Sequence, residues 1–94
     1  SDQVLPPVPA LRLDAAPNPF NPRVSFSFSV SRAGRAELAV FDLRGRRVAD
    51  LVDGFKSAGD YEIGWSADGL PSGTYLVRLT TADHRTSRRC LLVK

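Results

Sequence analysis

The chain has 94 residues, 43 % of them hydrophobic and 24 % charged, with a net charge of +3. This is one domain's worth of sequence, too apolar for a disordered tail, and no apolar run approaches the ~18 residues that a membrane span needs. A single cysteine, Cys90, and a single histidine, His84, cannot supply an internal disulfide, a cysteine-based zinc site or a histidine relay. Cys90 is expected to be a buried structural thiol. The opening SDQVLPPVPA lacks the basic start and continuous apolar stretch of a signal peptide, so the export signal is expected on another part of a longer protein.

In chain order, residues 1–9 carry Pro6, Pro7 and Pro9, which restrict φ and remove backbone donors, and they read as an extended linker from an upstream domain. The domain proper is expected over residues 10–94, beginning with a short strand around Leu11 and Leu13. Pro17-Asn18-Pro19-Phe20-Asn21-Pro22 imposes rigid turns, with Phe20 as an apolar anchor. Val24-Ser25-Phe26-Ser27-Phe28-Ser29-Val30 alternates apolar residues with serine, the pattern of a half-buried strand. Residues 35–42 alternate again, with Ala36, Leu38 and Val40 on one face, and the short connection between the two predicts a hairpin.

In Asp42-Leu43-Arg44-Gly45 an aspartate that can bond local amides precedes a glycine that can take positive φ, the chemistry of a tight turn. Residues 46–52 return as a strand with an imperfect period, Val48 and Leu51 falling on opposite faces, so a bulge or an early end is expected. Residues 53–59 read as loop. Tyr61, Ile63 and Trp65 alternate through the next strand, a second loop covers residues 67–72, and Tyr75, Val77 and Leu79 define a strand over residues 73–81. After a turn at residues 82–85, the last strand ends in Cys90-Leu91-Leu92-Val93, where both faces are apolar and periodicity does not choose the inward one.

Seven short strands with turn signals roughly every 8 to 12 residues predict an all-β, seven-stranded antiparallel immunoglobulin/fibronectin-III-like sandwich. Its expected core is Val24, Phe26, Phe28, Val30, Leu38, Val40, Tyr61, Ile63, Trp65, Tyr75, Val77 and Leu79. No catalytic constellation is evident: Asp42, Asp53, Asp68 and Asp83 read as turn formers, and Asp50, Asp53, Asp60 and Glu62 lack the regular spacing of a calcium loop. The chain is therefore expected to be no enzyme and to need no cofactor or metal. From Arg78 onward, five basic residues stand against Asp83 alone, giving that part +4 and the rest −1. Neither a groove-reading helix nor an aromatic sheet face accompanies them, so nucleic acid is not the expected partner.

Five blocks taken in order, PNPFNP at 17–22, VFDLRGRRV at 40–48, AGDY at 58–61, Trp65, and LPSGTYLVRL at 70–79, resemble the type A C-terminal sorting domain of type IX secretion. They also resemble its relative, the Ig-like domain of flagellar hook-capping proteins. The resemblance spans about residues 10–94. It implies a non-catalytic signal at the end of a larger secreted bacterial protein, recognised by an outer-membrane translocon and carried through the periplasm to the cell surface or medium. The upstream domain would carry the activity.

In that family a Pro-x-Gly-x-Tyr block and a short basic-then-aliphatic terminal strand matter most, which here places translocon recognition at Pro71, Gly73, Tyr75, Arg88, Arg89, Leu91, Leu92, Val93 and Lys94. Arginine stands before the final strand where lysine is common, which keeps the charge and changes the hydrogen-bond geometry. Pro71, Gly73 and Tyr75 also suit a purely structural role in any sandwich. The terminal strand is therefore expected to carry the signal, on an open edge that a receptor strand could join. The competing readings are an adhesive, filament or spacer module and a flagellar hook-assembly module, since a fold does not determine a function.

Overall fold

A computed structural model describes residues 12–82 and 84–94; the proline linker of residues 1–9, Leu11 and Asp83 lie outside the described residues. Seven strands follow one another: β1 Leu13–Ala16, β2 Arg23–Val30, β3 Gly34–Phe41, β4 Arg47–Lys56, β5 Gly59–Ser66, β6 Gly73–Thr80 and β7 Arg85–Leu92. They form two antiparallel sheets, one ordered β1-β2-β5 and the other β4-β3-β6-β7. This is the expected sandwich, with the inward residues of each sheet covering the other.

The serine-alternating strand behaves as its pattern requires. Val24, Phe26, Phe28 and Val30 are buried, and Ser25, Ser27 and Ser29 occupy the other face. Ala36, Leu38 and Val40 of β3 and Tyr75, Val77 and Leu79 of β6 complete the facing layer. Phe20, Cys90 and Leu92 join the same buried cluster, so the end of β7 turns Cys90 and Leu92 inward and leaves Leu91 and Val93 exposed. Burial pushes the Cys90 thiol up to about 11, which keeps it a protonated, unreactive core group at neutral pH.

Three expectations change. The strands β2 and β3 do not form a hairpin: β2 pairs with β1 and β5, whereas β3 pairs with β4 and β6. Residues 31–33 cross between the sheets instead, because two strands that each carry one fully apolar face cover each other best from opposite layers. Secondly, β4 does not end at Val52. It continues through Lys56, with Asp53 opposite Glu37 and Phe55 opposite Arg35, so Asp53 is a strand residue held by Arg35 rather than a turn former.

The imperfect period of β4 is resolved by register shifts. Leu51 and Val48 are the extra residues, since Val52 and Asp50 face Leu38 and Ala39 while Ala49 and Arg47 face Val40 and Phe41. Skipping one residue twice keeps Ala49 and Val52 toward the core and Arg47, Asp50 and Asp53 on the outer face. The turn between β3 and β4 is built as its residues suggest: Asp42 Oδ1 accepts the amides of Arg44 and Arg46 at 2.9 and 3.0 Å, and Gly45 takes φ 84°. Those amides, Arg46 first, hold the Asp42 carboxyl below its ordinary range.

Thirdly, Tyr61, Ile63 and Trp65 face inward but are only half-buried. They pair with Phe28, Phe26 and Val24, yet β5 is the last strand of its sheet, so one flank of each side chain is left to solvent. Trp65 packs between Phe20 and Phe26, with ring centroids 6.1 and 6.3 Å away. Trp65→Ala should therefore cost about 1.5–3 kcal/mol, less than the about 3–5 kcal/mol expected for Phe26→Ala, as read from urea midpoints. Equal losses would show that the rim of β5 is as closed as the centre.

Candidate functional site

The two blocks singled out in the sequence, around residues 71–75 and 88–94, lie on the consecutive strands β6 and β7, whose antiparallel pairing sets them side by side. Gly73 pairs with Leu92 and Tyr75 with Cys90, and the Lys94 amide donates to Ser72 Oγ at 3.1 Å.

The first block shapes a corner. Tyr75 is 4 % exposed, and its hydroxyl donates to the Pro71 carbonyl four residues upstream at 2.6 Å. A tyrosine near the start of the sixth strand bonding back across the preceding loop is the tyrosine corner of Ig-like sandwiches. Gly73 enters β6 at φ 153°, a conformation that side chains with a Cβ rarely adopt. Within the same loop the Leu70 amide donates to the Ala67 carbonyl, and the Ala67 amide donates to Pro22. A shallow groove of about 350 Å³ lies between this loop and the β3–β4 turn; it is lined by Leu43, Val48, Leu70 and Pro71 among others.

The second block is less free than its sequence suggests. The outer edge of β7 is not open where the aliphatic residues lie. The Phe20 amide donates to the Leu91 carbonyl at 2.8 Å, and the Val93 amide donates to the Phe20 carbonyl at 2.9 Å. The Leu91 amide donates to Asn18 Oδ1 at 3.0 Å, while Asn18 Nδ2 donates to the Arg89 carbonyl at 3.1 Å. The segment between β1 and β2 thus takes up the backbone groups a receptor strand would need. A buried Phe20 side chain, 2 % exposed, fixes that segment in place.

Arg88 shares the inward face with its partner Val77, but β7 is an edge strand and the side chain reaches across the open rim. Its Nε donates to the Leu13 carbonyl at 2.8 Å and its Nη2 lies 3.6 Å from Asp14 Oδ1, clipping β7 to β1. Arg89 points to the opposite face, beside Leu76. Leu92 is buried, whereas Leu91 and Val93 are 40 % and 46 % exposed. Of the residues singled out in sequence, then, Pro71, Gly73, Tyr75, Arg88 and Leu92 are tied into the fold, and Arg89, Leu91, Val93 and Lys94 present their side chains to solvent.

The bonds of Asn18 and Leu13 to β7 are not legible in the sequence, because contacts between residues 71 or 75 apart leave no local pattern. Among the described residues, no group of three or more His, Cys, Asp and Glu side chains gathers as a metal site. Asp50 and Asp53 bond Arg47 and Arg35, and Asp60 accepts from Ser29 Oγ.

Two neighbouring arginines separate the roles of charge and clip. Arg88→Ala should lower stability by about 1 kcal/mol, a reduced value because the guanidinium is largely exposed, while Arg89→Ala should stay within about 0.5 kcal/mol of wild type. Chemical denaturation of both variants distinguishes them, and an Arg88 variant as stable as the Arg89 variant would remove the clip.

No curated protein matches the chain. The family model of the secretion system C-terminal sorting domain matches residues 15–94, spanning every strand except the first two residues of β1. The chain belongs to the secretion system C-terminal sorting domains, the non-catalytic signals that send proteins through type IX secretion to the cell surface or medium.

Proposed function

We propose that the outer-membrane secretion machinery reads this domain on the exposed end of β7, through the side chains of Arg89, Leu91, Val93 and Lys94. Pro71, Gly73, Tyr75, Arg88 and Leu92 serve recognition by holding that end in shape. The observation that carries this division is the occupied edge of β7: with Asn18 and Phe20 bonded to residues 89–93, a receptor meets side chains and not free backbone. Large apolar groups at 40–46 % exposure beside two cations form the mixed apolar and charged composition typical of a protein-binding patch. A purely structural end of a strand has no need to display them.

The test is a reporter fused ahead of the chain in a host with type IX machinery. The combined variant Arg89→Gln, Leu91→Ser, Val93→Ser, Lys94→Gln should fold, by circular dichroism and a cooperative melt, yet lose at least tenfold in surface or medium fraction. Tyr75→Phe keeps the ring and should be exported in proportion to its folded fraction. Wild-type export of the folded quadruple variant would show that the address lies elsewhere.

A further inference from the structure

The outer face of the four-stranded sheet divides its charges unevenly. On the β3–β4 half each cation has a carboxylate: Arg35 bonds Glu37 and Asp53, and Arg47 bonds Asp50 at 2.8 Å. On the β6–β7 half the register sets Arg78 opposite Ser87, with Arg85 two residues before Ser87 and Arg89 two residues after it. The inward burial of Val77, Leu79, Cys90 and Leu92 turns Arg78, Arg85 and Arg89 to the same outer face. Three guanidinium-bearing chains thus surround one serine, and among the described residues none of the three forms an ion pair with a carboxylate.

Like charges set across a strand pair are unfavourable, and a surface selected only for solubility intersperses its signs. Arg78 is also held in position, its guanidinium carbon lying 4.4 Å from the centroid of the Phe41 ring. Leu76, between Phe41 and Arg89 in one row across the sheet, and the exposed Leu91 border the cluster with apolar surface.

We propose that Arg78, Arg85 and Arg89 form a carboxylate-binding triad that receives an acidic, extended segment of a protein partner lying over the β6–β7 face. This rests on the sorting function above and names the chemistry of its partner. Successive outward side chains of a strand repeat at about 6.7 Å, and two such steps lead from Arg85 through Ser87 to Arg89. An extended segment with acids at alternate positions can therefore set one acid at each arginine and a third between them, where Arg78 lies across from Ser87. Guanidinium forks take carboxylates two bonds at a time. The apolar border of Phe41, Leu76 and Leu91 suits side chains between those acids better than a hydrated anionic polymer.

The probe is a blocked synthetic peptide of alternating glutamate and valine, titrated against the chain at low and raised salt. Wild type should bind it with an affinity that falls as salt rises. The triple variant Arg78→Gln, Arg85→Gln, Arg89→Gln should bind at least tenfold more weakly while melting at the same or a higher temperature, since mutual repulsion is removed. Arg35→Gln with Arg47→Gln should bind as wild type does. Absence of wild-type binding, equal weakening in the double variant, a lower melting temperature of the triple variant, or preference for a sulfated oligosaccharide or phosphatidylglycerol vesicles would each overturn the triad. So would peptide-independent self-association that the triple variant abolishes.

Export separates this inference from the function it rests on. If the wild-type fusion is exported and both the triple variant and an Arg78→Gln, Arg85→Gln variant that keeps Arg89 are retained, the triad stands. If either variant is exported as wild type is, the triad fails and the sorting function remains. If wild type itself is retained in a competent host, the sorting function fails for this chain.

Discussion

The seam between β1 and β7 is where the two sheets of this small sandwich have to be joined, and its hydrogen bonds decide what the rest of the molecule can do. Both strands are sheet edges, and an edge carries a row of unpaired amides and carbonyls that costs free energy if buried and invites aggregation if exposed. Here Asn18 and Phe20 bond the backbone of residues 89–93, and Arg88 reaches the Leu13 carbonyl. The apolar residue at the centre of the seam, Phe20, is buried against Trp65, so closing the edge also completes one end of the core. The polar and apolar contributions therefore act on the same few residues.

With that seam closed, the end of the chain is displayed as a surface. The alternation of β7 sends Cys90 and Leu92 to the core and Arg89 and Leu91 outward, and the tyrosine corner at Tyr75 fixes the strand to which β7 is paired. Among the described residues, the facing sheets share one buried cluster and the seam ties their edges together.

The alternation of serine with Val24, Phe26, Phe28 and Val30 told the truth about β2 because one face is buried and the other is not, the condition under which period-two patterns are legible. The Asp42 to Gly45 turn was equally readable, since its chemistry is local. Pairing partners were not: β2 and β3 alternate in the same way whether they share a sheet or face each other across the core. Nor could alternation mark Tyr61, Ile63 and Trp65 as rim residues, because a strand's position in its sheet depends on the whole topology. The open edge expected for β7 was overturned for the same reason, as its occupant lies some seventy residues earlier. Arg88, Arg89, Leu91, Leu92, Val93 and Lys94 rest on the family resemblance, which matches residue types in order and does not distinguish an inward clip such as Arg88 from an outward contact such as Arg89.

The central claim is that the terminal strand is recognised by its side chains because its backbone edge is already occupied. Amide hydrogen exchange tests it at two positions, the Leu91 and Val93 N–H groups, which donate to Asn18 and Phe20 and have no other strand beside them. Both should exchange slowly, within the range of the β6 amides and far slower than exposed loop amides. Exchange of Leu91 and Val93 at the rate of an unpaired edge strand would contradict the account and return the backbone of β7 to the list of surfaces a receptor could pair with.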